Sequence, residues 1–286
     1  MTLSPLREEH SPQEADITAD GSFNPRFPHA ARIYDYLLDG KNNFAADRQA
    51  AEQLIRLVPD LRAAAQANRA FLGRAFHDVA ASGITQFLDI GCGLPMERNV
   101  HEVVQGVHPD ARTIYVDNDL VVATHARALL VKGDHTHFVP GDLRDLPALL
   151  GRPDLAKMID LVQPVGVGLG AVLHFLTMSE AKTAMRTFAD RLVPGSMLIM
   201  SHACSDGLDP QAVEKSRQVY RNSSSPLHVR SCQEVADIFG PRWLWQPPGL
   251  LPVHAWRPDP GSGQVSDERH ATPACFVGGL AVLSRP

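Results

Sequence analysis

Two carboxylates at the ends of apolar runs are the residues best placed to do chemistry in this chain. Residues 87–95 read Phe-Leu-Asp-Ile-Gly-Cys-Gly-Leu-Pro, an apolar run that reaches Asp89 and passes into a Gly-x-Gly turn. A second apolar run, Tyr115-Val116-Asp117, also ends in an acid, about one strand–helix–strand unit later. Glycine lets a backbone turn sharply and approach a ligand closely, and a carboxylate at the next strand end can accept hydrogen bonds from ribose hydroxyls. A lone Gly-x-Gly would read as a plain strand-to-helix connection. Its spacing to Asp117 points instead to a ligand that contains a nucleoside.

The turn also discriminates between ligands. Dinucleotide sites use Gly-x-Gly-x-x-Gly, whose third glycine lets the helix N-terminus face a pyrophosphate. Here Met96 stands where that glycine is required, in Gly91-Cys92-Gly93-Leu94-Pro95-Met96. Asp89, just before the turn, would repel a pyrophosphate but suits a cationic amino-acid moiety. S-adenosyl-L-methionine carries such a moiety and no phosphate. A nicotinamide oxidoreductase is disfavoured on the same ground.

Carboxylates placed this way need a parallel sheet beneath them. The spacing of apolar residues predicts strands at 85–90, 112–117, 135–139, 158–167 and 196–202, with helices near 97–107, 119–131, 144–150 and 179–192. Alternating strands and helices imply parallel crossovers with helices on both faces. Helical periodicity over 30–38, 45–58 and 61–81 precedes the first strand. The C-terminal part reads as helices at 210–221 and 231–239 and strands near 242–246 and 274–284, joined by a segment rich in proline, with Pro260, Gly261 and Gly263 near its end. The expected fold is α/β and Rossmann-like, a mostly parallel central sheet with an N-terminal helical addition. A disordered tail is expected at 1–27, a helical cap at 28–83, and the core with acceptor-side elements at 84–286.

Composition narrows the partners. The formal charge of -5, from 27 basic and 32 acidic residues, argues against a broad phosphate-backbone footprint, so no nucleic acid is expected. No apolar stretch reaches the roughly 18 uninterrupted residues of a spanning helix, and the first 25 residues hold no basic-then-apolar signal segment. No membrane association and a cytoplasmic location are therefore expected. The four cysteines, at 92, 204, 232 and 275, show no Cys-x-x-Cys spacing and read as reduced thiols. His135-Thr136-His137 lacks a third ligand placed by sequence, and no metal is expected. The tryptophans, Trp243, Trp245 and Trp256, read as core cover, and Ser223-Ser224-Ser225-Pro226 as a flexible loop near the pocket mouth.

Several separated motifs carry a family resemblance. They are Arg32-Ile33-Tyr34-Asp35-Tyr36-Leu37-Leu38-Asp39-Gly40-Lys41-Asn42-Asn43-Phe44, Gln66-Ala67-Asn68-Arg69-Ala70-Phe71-Leu72, the glycine turn with Asn99-Val100-His101-Glu102, Ala171-Val172-Leu173-His174-Phe175, and Pro252-Val253-His254-Ala255-Trp256-Arg257-Pro258. From about residue 28 onward, in this order, the chain resembles a class I S-adenosylmethionine-dependent methyltransferase family abundant in actinobacteria. Met96 departs from the small hydroxyl residue expected after Leu-Pro, which removes one polar contact to the cofactor.

The resemblance implies a methyltransferase that passes a methyl group to an oxygen or nitrogen of a small-molecule acceptor in specialised metabolism, with the alternative of a cofactor-binding sensor or scaffold. Asp89, Gly91, Gly93, Leu94 and Pro95 would face the methionine portion, Asp117 and Asn118 the ribose, and Asp142 and Leu143 the adenine. A carbonyl near Ala171 or Val172 would lie under the sulfonium. Tyr34, Lys41, Asn42 and Arg69 would fold over the cofactor or shape the acceptor pocket. His174 is the first candidate base and His202 the second, since an unperturbed imidazole can take a proton near neutrality. A turn histidine, a helix-capping Asp142 and a solvated Lys41-Asn42 turn are the plain structural alternatives. The acceptor and the oligomeric state are not legible.

Overall fold

β1 (Gln86–Ile90) is buried along its whole length, as a strand covered on both faces must be. In the computed structural model, which describes residues 24–258 and 275–285, it lies at the centre of the sheet. β2 (Arg112–Asp117) and β3 (Thr136–Pro140) extend the sheet in parallel on one side of β1, and β4 (Gly166–Gly170) and β5 (Met197–Ala203) on the other. β6 (Trp243–Trp245) and β7 (Leu251–Pro252) both pair antiparallel with β8 (Phe276–Leu283), which itself runs antiparallel to β5. The strand order is β3-β2-β1-β4-β5-β8-β6. The strand order reverses between β1 and β4, and the carboxyl ends of parallel strands beside such a switch form the crevice where open α/β sheets bind ligands.

Among the described residues three helices precede the sheet, α1 (Ala30–Leu37), α2 (Ala45–Leu57) and α3 (Leu61–Ala81). The crossovers carry α4 (Val100–Gln105), α5 (Leu120–Leu129), α6 (Leu146–Leu150), α7 (Pro153–Met158) and α8 (Met178–Arg191). α9 (Pro210–Arg221) and α10 (Cys232–Ala236) follow β5. Sequence signals account for several starts: Thr177 and Glu180 form a capping box on α8, and Asp119 accepts from Val121 and Val122 N–H at the start of α5. α3 covers one sheet face through Phe71, Phe76 and Val79. α1, α2 and α9 share a separate apolar cluster of Ile33, Leu37, Ala51, Leu54 and Tyr220.

The fourth strand corrects the expected 158–167. The apolar run there ends α7 and enters a turn in which Val162 is largely exposed, and the strand is Gly-Val-Gly-Leu-Gly at 166–170. Val167 and Leu169 enter one core layer, while the alternate positions face α3. A Cβ there would lie 2.6 Å from the Phe87 ring at Gly166, 2.4 Å from Phe76 at Gly168 and 2.7 Å from Leu72 at Gly170. Close helix-on-strand contact requires glycine on that face, and glycine hides the strand from pattern reading.

The serine run is also unlike its expectation. Ser223 and Ser224 are buried; Ser224 Oγ accepts from Ala30 N–H, and Ser224 N–H donates to Pro28 O. This segment ties the N-terminal helices to the end of α9. Trp256 is buried edge-to-face against Phe71, and Trp243 donates its indole N–H to Met185 O. The expected tail lies almost wholly outside the described residues, as do Pro260, Gly261 and Gly263. No helix among the described residues is long and apolar enough to cross a membrane.

Candidate active site

The glycine turn after β1 enters a cleft above the strand ends. Gly91 has φ +71° and donates its N–H to Val116 O at 2.8 Å. A Cβ on it would lie 2.6 Å from Val172 Cγ2, so this backbone makes a shallow cradle that only glycine leaves open. Opposite it, Ala171 has φ +54°, a left-handed conformation that costs about 1–2 kcal/mol in a residue with a Cβ. Its N–H is held by Ser201 O at 3.2 Å and Ser201 Oγ at 3.0 Å. Tyr34, Arg69, Asp89, Gly91, Gly93, Leu94, Asp117, Asn118, Asp142, Leu143, Ala171, Val172 and His174 all line this one cleft.

The two carboxylates differ in their partners. Asp117 accepts from Gly93 N–H at 2.9 Å on Oδ2 and from Asp119 N–H at 3.0 Å on Oδ1, and burial pushes its pKa up. Asp89 has no hydrogen-bond partner among the described residues; burial pushes its pKa up to about 7, with Arg69 opposing and Asp117 reinforcing the shift. A buried carboxyl this poorly compensated fits a cation. An ammonium beside Asp89 favours its ionised form, so binding must release a proton below pH 7. Affinity for S-adenosylmethionine is therefore expected to rise about tenfold per pH unit below 7 and to level off above it. Calorimetry across pH checks this, and Asp89→Asn should flatten the dependence.

Asp142 is more occupied than its expected adenine role allows. Arg144 grips both its oxygens, Nε to Oδ1 at 2.9 Å and Nη2 to Oδ2 at 2.7 Å, while Arg144 N–H and Asn118 Nδ2 donate to the same carboxylate. Burial pushes its pKa up but the Arg144 bonds outweigh this, and it stays below the usual range. Asp142 thus caps the turn Leu143–Asp145 and orients Asn118.

The two histidines separate clearly. His202 is fully buried and does not line the cleft. Its Nδ1 donates to Ala203 O at 2.7 Å and its Nε2 accepts from Arg230 Nη1 at 2.8 Å; burial lowers its pKa to about 3. Both nitrogens are committed to structure, which removes it as a base. His174 does line the cleft, but its Nδ1 accepts from Ala203 N–H at 3.2 Å. Burial, aided by His202 and Arg230, holds its pKa well below 6.5. The neutral ring therefore carries its proton on Nε2 and presents a donor.

Lys41, Asn42 and Pro95 also lie outside the cleft lining. Asn42 donates its N–H to Asp35 Oδ2 at 3.0 Å, closing the turn after α1, and Lys41 is exposed. His29, Arg144, Tyr220 and Phe276 line the cleft, and sequence reasoning did not assign them. Arg144 follows Asp142 closely enough to have been legible as its partner; the others reach the cleft only through tertiary packing.

Comparison with known proteins agrees with this geometry. A family model described as S-adenosyl methyltransferase matches residues 17–284. A protein from Thermobifida fusca YX, proposed in its crystal structure to be a methyltransferase, is 37% identical with a TM-score of 0.83; the match covers 91% of this chain and 96% of that one. A DUF574 family protein from Streptomyces avermitilis MA-4680 is 34% identical with a TM-score of 0.82, covering 91% and 98%. No curated protein matches. The unpartnered Asp89 and the glycine cradle fit a phosphate-free cationic nucleoside. The chain belongs to the S-adenosyl methyltransferase family, an enzyme whose methyl donor is S-adenosyl-L-methionine.

Proposed function

We propose that the enzyme methylates an oxygen or nitrogen of a small molecule in specialised metabolism. The observation that carries this reading is the apolar chamber continuous with the cofactor cleft. Leu37, Leu54, Val58, Phe175, Tyr220, Leu227 and Phe276 line it, and α1, α2 and α9 roof it. A roofed chamber suits a small apolar acceptor better than the surface of a macromolecule.

In this reading Asp89 holds the ammonium of the donor, Asp117 the ribose hydroxyls, and Arg69 its carboxylate. Leu143 covers the adenine, and the Ala171–Val172 backbone flanks the reacting methyl. The cofactor, when bound, supplies an electrophilic methyl on a sulfonium. The protein's part is to align the acceptor atom with the methyl group. His174 Nε2–H donates to the acceptor and orients it, in place of the base role expected from sequence; the acceptor's proton leaves to solvent.

The test is formation of S-adenosylhomocysteine with panels of phenols, aliphatic alcohols and amines. Product with a hydroxyl or amine acceptor supports the reading; cofactor binding without product from any of them overturns it. His174→Gln, which keeps a side-chain donor, should stay within about tenfold of wild-type turnover, and His174→Ala should fall further. Equal losses would return His174 to the role of base.

A further inference from the structure

His29 stands just before α1, far in sequence from the sheet, yet its ring is buried, lines the cleft and interacts electrostatically with Asp117. Its Nδ1 lies 2.8 Å from Asp119 Oδ2 and 3.3 Å from Ala31 N. One nitrogen cannot both donate to Asp119 and accept from Ala31. The shorter, charge-assisted contact prevails in the protonated ring, whose two nitrogens both carry hydrogen. Asp119 is held in turn by α5, where its Oδ1 accepts from Val121 N–H at 2.6 Å, and it donates its own N–H to Asp117 Oδ1. Arg32 Nη1 lies 3.8 Å from Asp119 Oδ2, and Asp47 Oδ1 accepts from both His29 N–H and Arg32 Nε. The imidazole is thus fixed by a buried carboxylate on one nitrogen.

The other nitrogen is open. Nε2 has no protein partner among the described residues, is not among the side-chain atoms sealed from solvent without a bond, and belongs to a ring that interacts electrostatically with Asp117. A carboxylate that takes the protons of two vicinal hydroxyls leaves their oxygen lone pairs facing away from it, and an N–H nearby completes them. Burial pushes the His29 pKa down, but Asp119 and Asp117 outweigh this and Arg32 opposes them only in part, so the ring stays above 6.5.

We propose that His29 Nε2 contacts a ribose hydroxyl of the cofactor, a binding role supplied by the N-terminal helices and fixed by the His29–Asp119 pair. It rests on the reading that Asp117 holds the ribose. The contact joins the start of α1 to the bound cofactor through one side chain.

The test compares S-adenosylhomocysteine with an analogue whose ribose lacks both hydroxyls, by calorimetry on the full chain. In His29→Asn the side-chain amide nitrogen takes the place of Nδ1 and keeps the bond to Asp119, while nothing replaces Nε2. We expect this variant to melt within a few degrees of wild type, to bind S-adenosylhomocysteine about tenfold more weakly, and to bind the analogue as wild type does. Unchanged affinity for S-adenosylhomocysteine, or equal losses for both ligands, overturns the proposal. Should His29→Asn fail to fold, His29→Gln, whose amide reaches the Nε2 position, replaces it. Retention of the preference for the hydroxylated ligand then supports the contact, and its disappearance overturns it. Asp117→Asn separates the two claims. If its affinity for S-adenosylhomocysteine is unchanged, the ribose assignment itself falls; if it drops while His29→Asn does not, only the His29 contact falls.

Discussion

Asp117→Ala should lose most of its affinity for S-adenosylmethionine and S-adenosylhomocysteine while keeping its fold. Two charge-assisted hydrogen bonds to ribose hydroxyls disappear together, a loss of about 3 kcal/mol or more, roughly two orders of magnitude in the dissociation constant. Stability moves less. Gly93 and Asp119 lose the acceptor of their N–H groups, but burial already raises the Asp117 pKa, so the wild-type protein bears a penalty for holding that carboxylate ionised. Removing the group removes the penalty. Calorimetry and thermal melting on one preparation check both halves, and wild-type affinity in the variant would reject the ribose assignment.

Arg32→Met should produce the largest stability loss. Arg32 is completely buried between Asp47, 3.3 Å from its Nε, and Asp119, and its Nη2 donates to Phe27 O at 3.0 Å. Methionine restores most of the volume but leaves two carboxylates with side chains almost sealed from water. Breaking a buried ion pair from one side costs about 3–5 kcal/mol. Urea denaturation should show a deficit of that size with a similar slope. Asp47 also accepts from Phe44 N–H at the start of α2 and from His29 N–H, so loosening should be greatest in α1 and α2, and hydrogen exchange there should rise first. A variant as stable as wild type would show that the cluster is not what holds these helices down.

What was legible in the sequence follows the range of the interactions. The turn from Asp89 to Gly93 and the acid ending β2 were legible because their geometry is set within a few residues, and strand–helix alternation is a local pattern. The N-terminal helices were legible for the same reason, 61–81 to the residue. β4 was not, because its glycines answer to Phe76 and Leu72 on a helix far upstream. His174 and His202 look alike in sequence, each near a strand end. Their difference lies in long-range partners: Arg230 reaches His202 from a distant segment, and the Ala203 N–H donates to the distant His174. Asp142 carries a cap signal and a ligand signal together, and only the fork of Arg144 shows how fully its carboxylate is engaged. His29 meets Asp119 although β1 and β2 lie between them in the sequence, and no local pattern announces such a pair.

The separation of the molecule into distinct apolar clusters bears on how such an enzyme changes its preferences. The side chains around Leu37, Leu54 and Tyr220 belong to the cluster of α1, α2 and α9, whereas Gly91 rests against Val172 and the sheet. On the proposed reading, substitution at Leu54 or Tyr220 reshapes the space offered to the acceptor away from the glycine turn. On that reading, selection can retune what is methylated while the source of the methyl group stays constant.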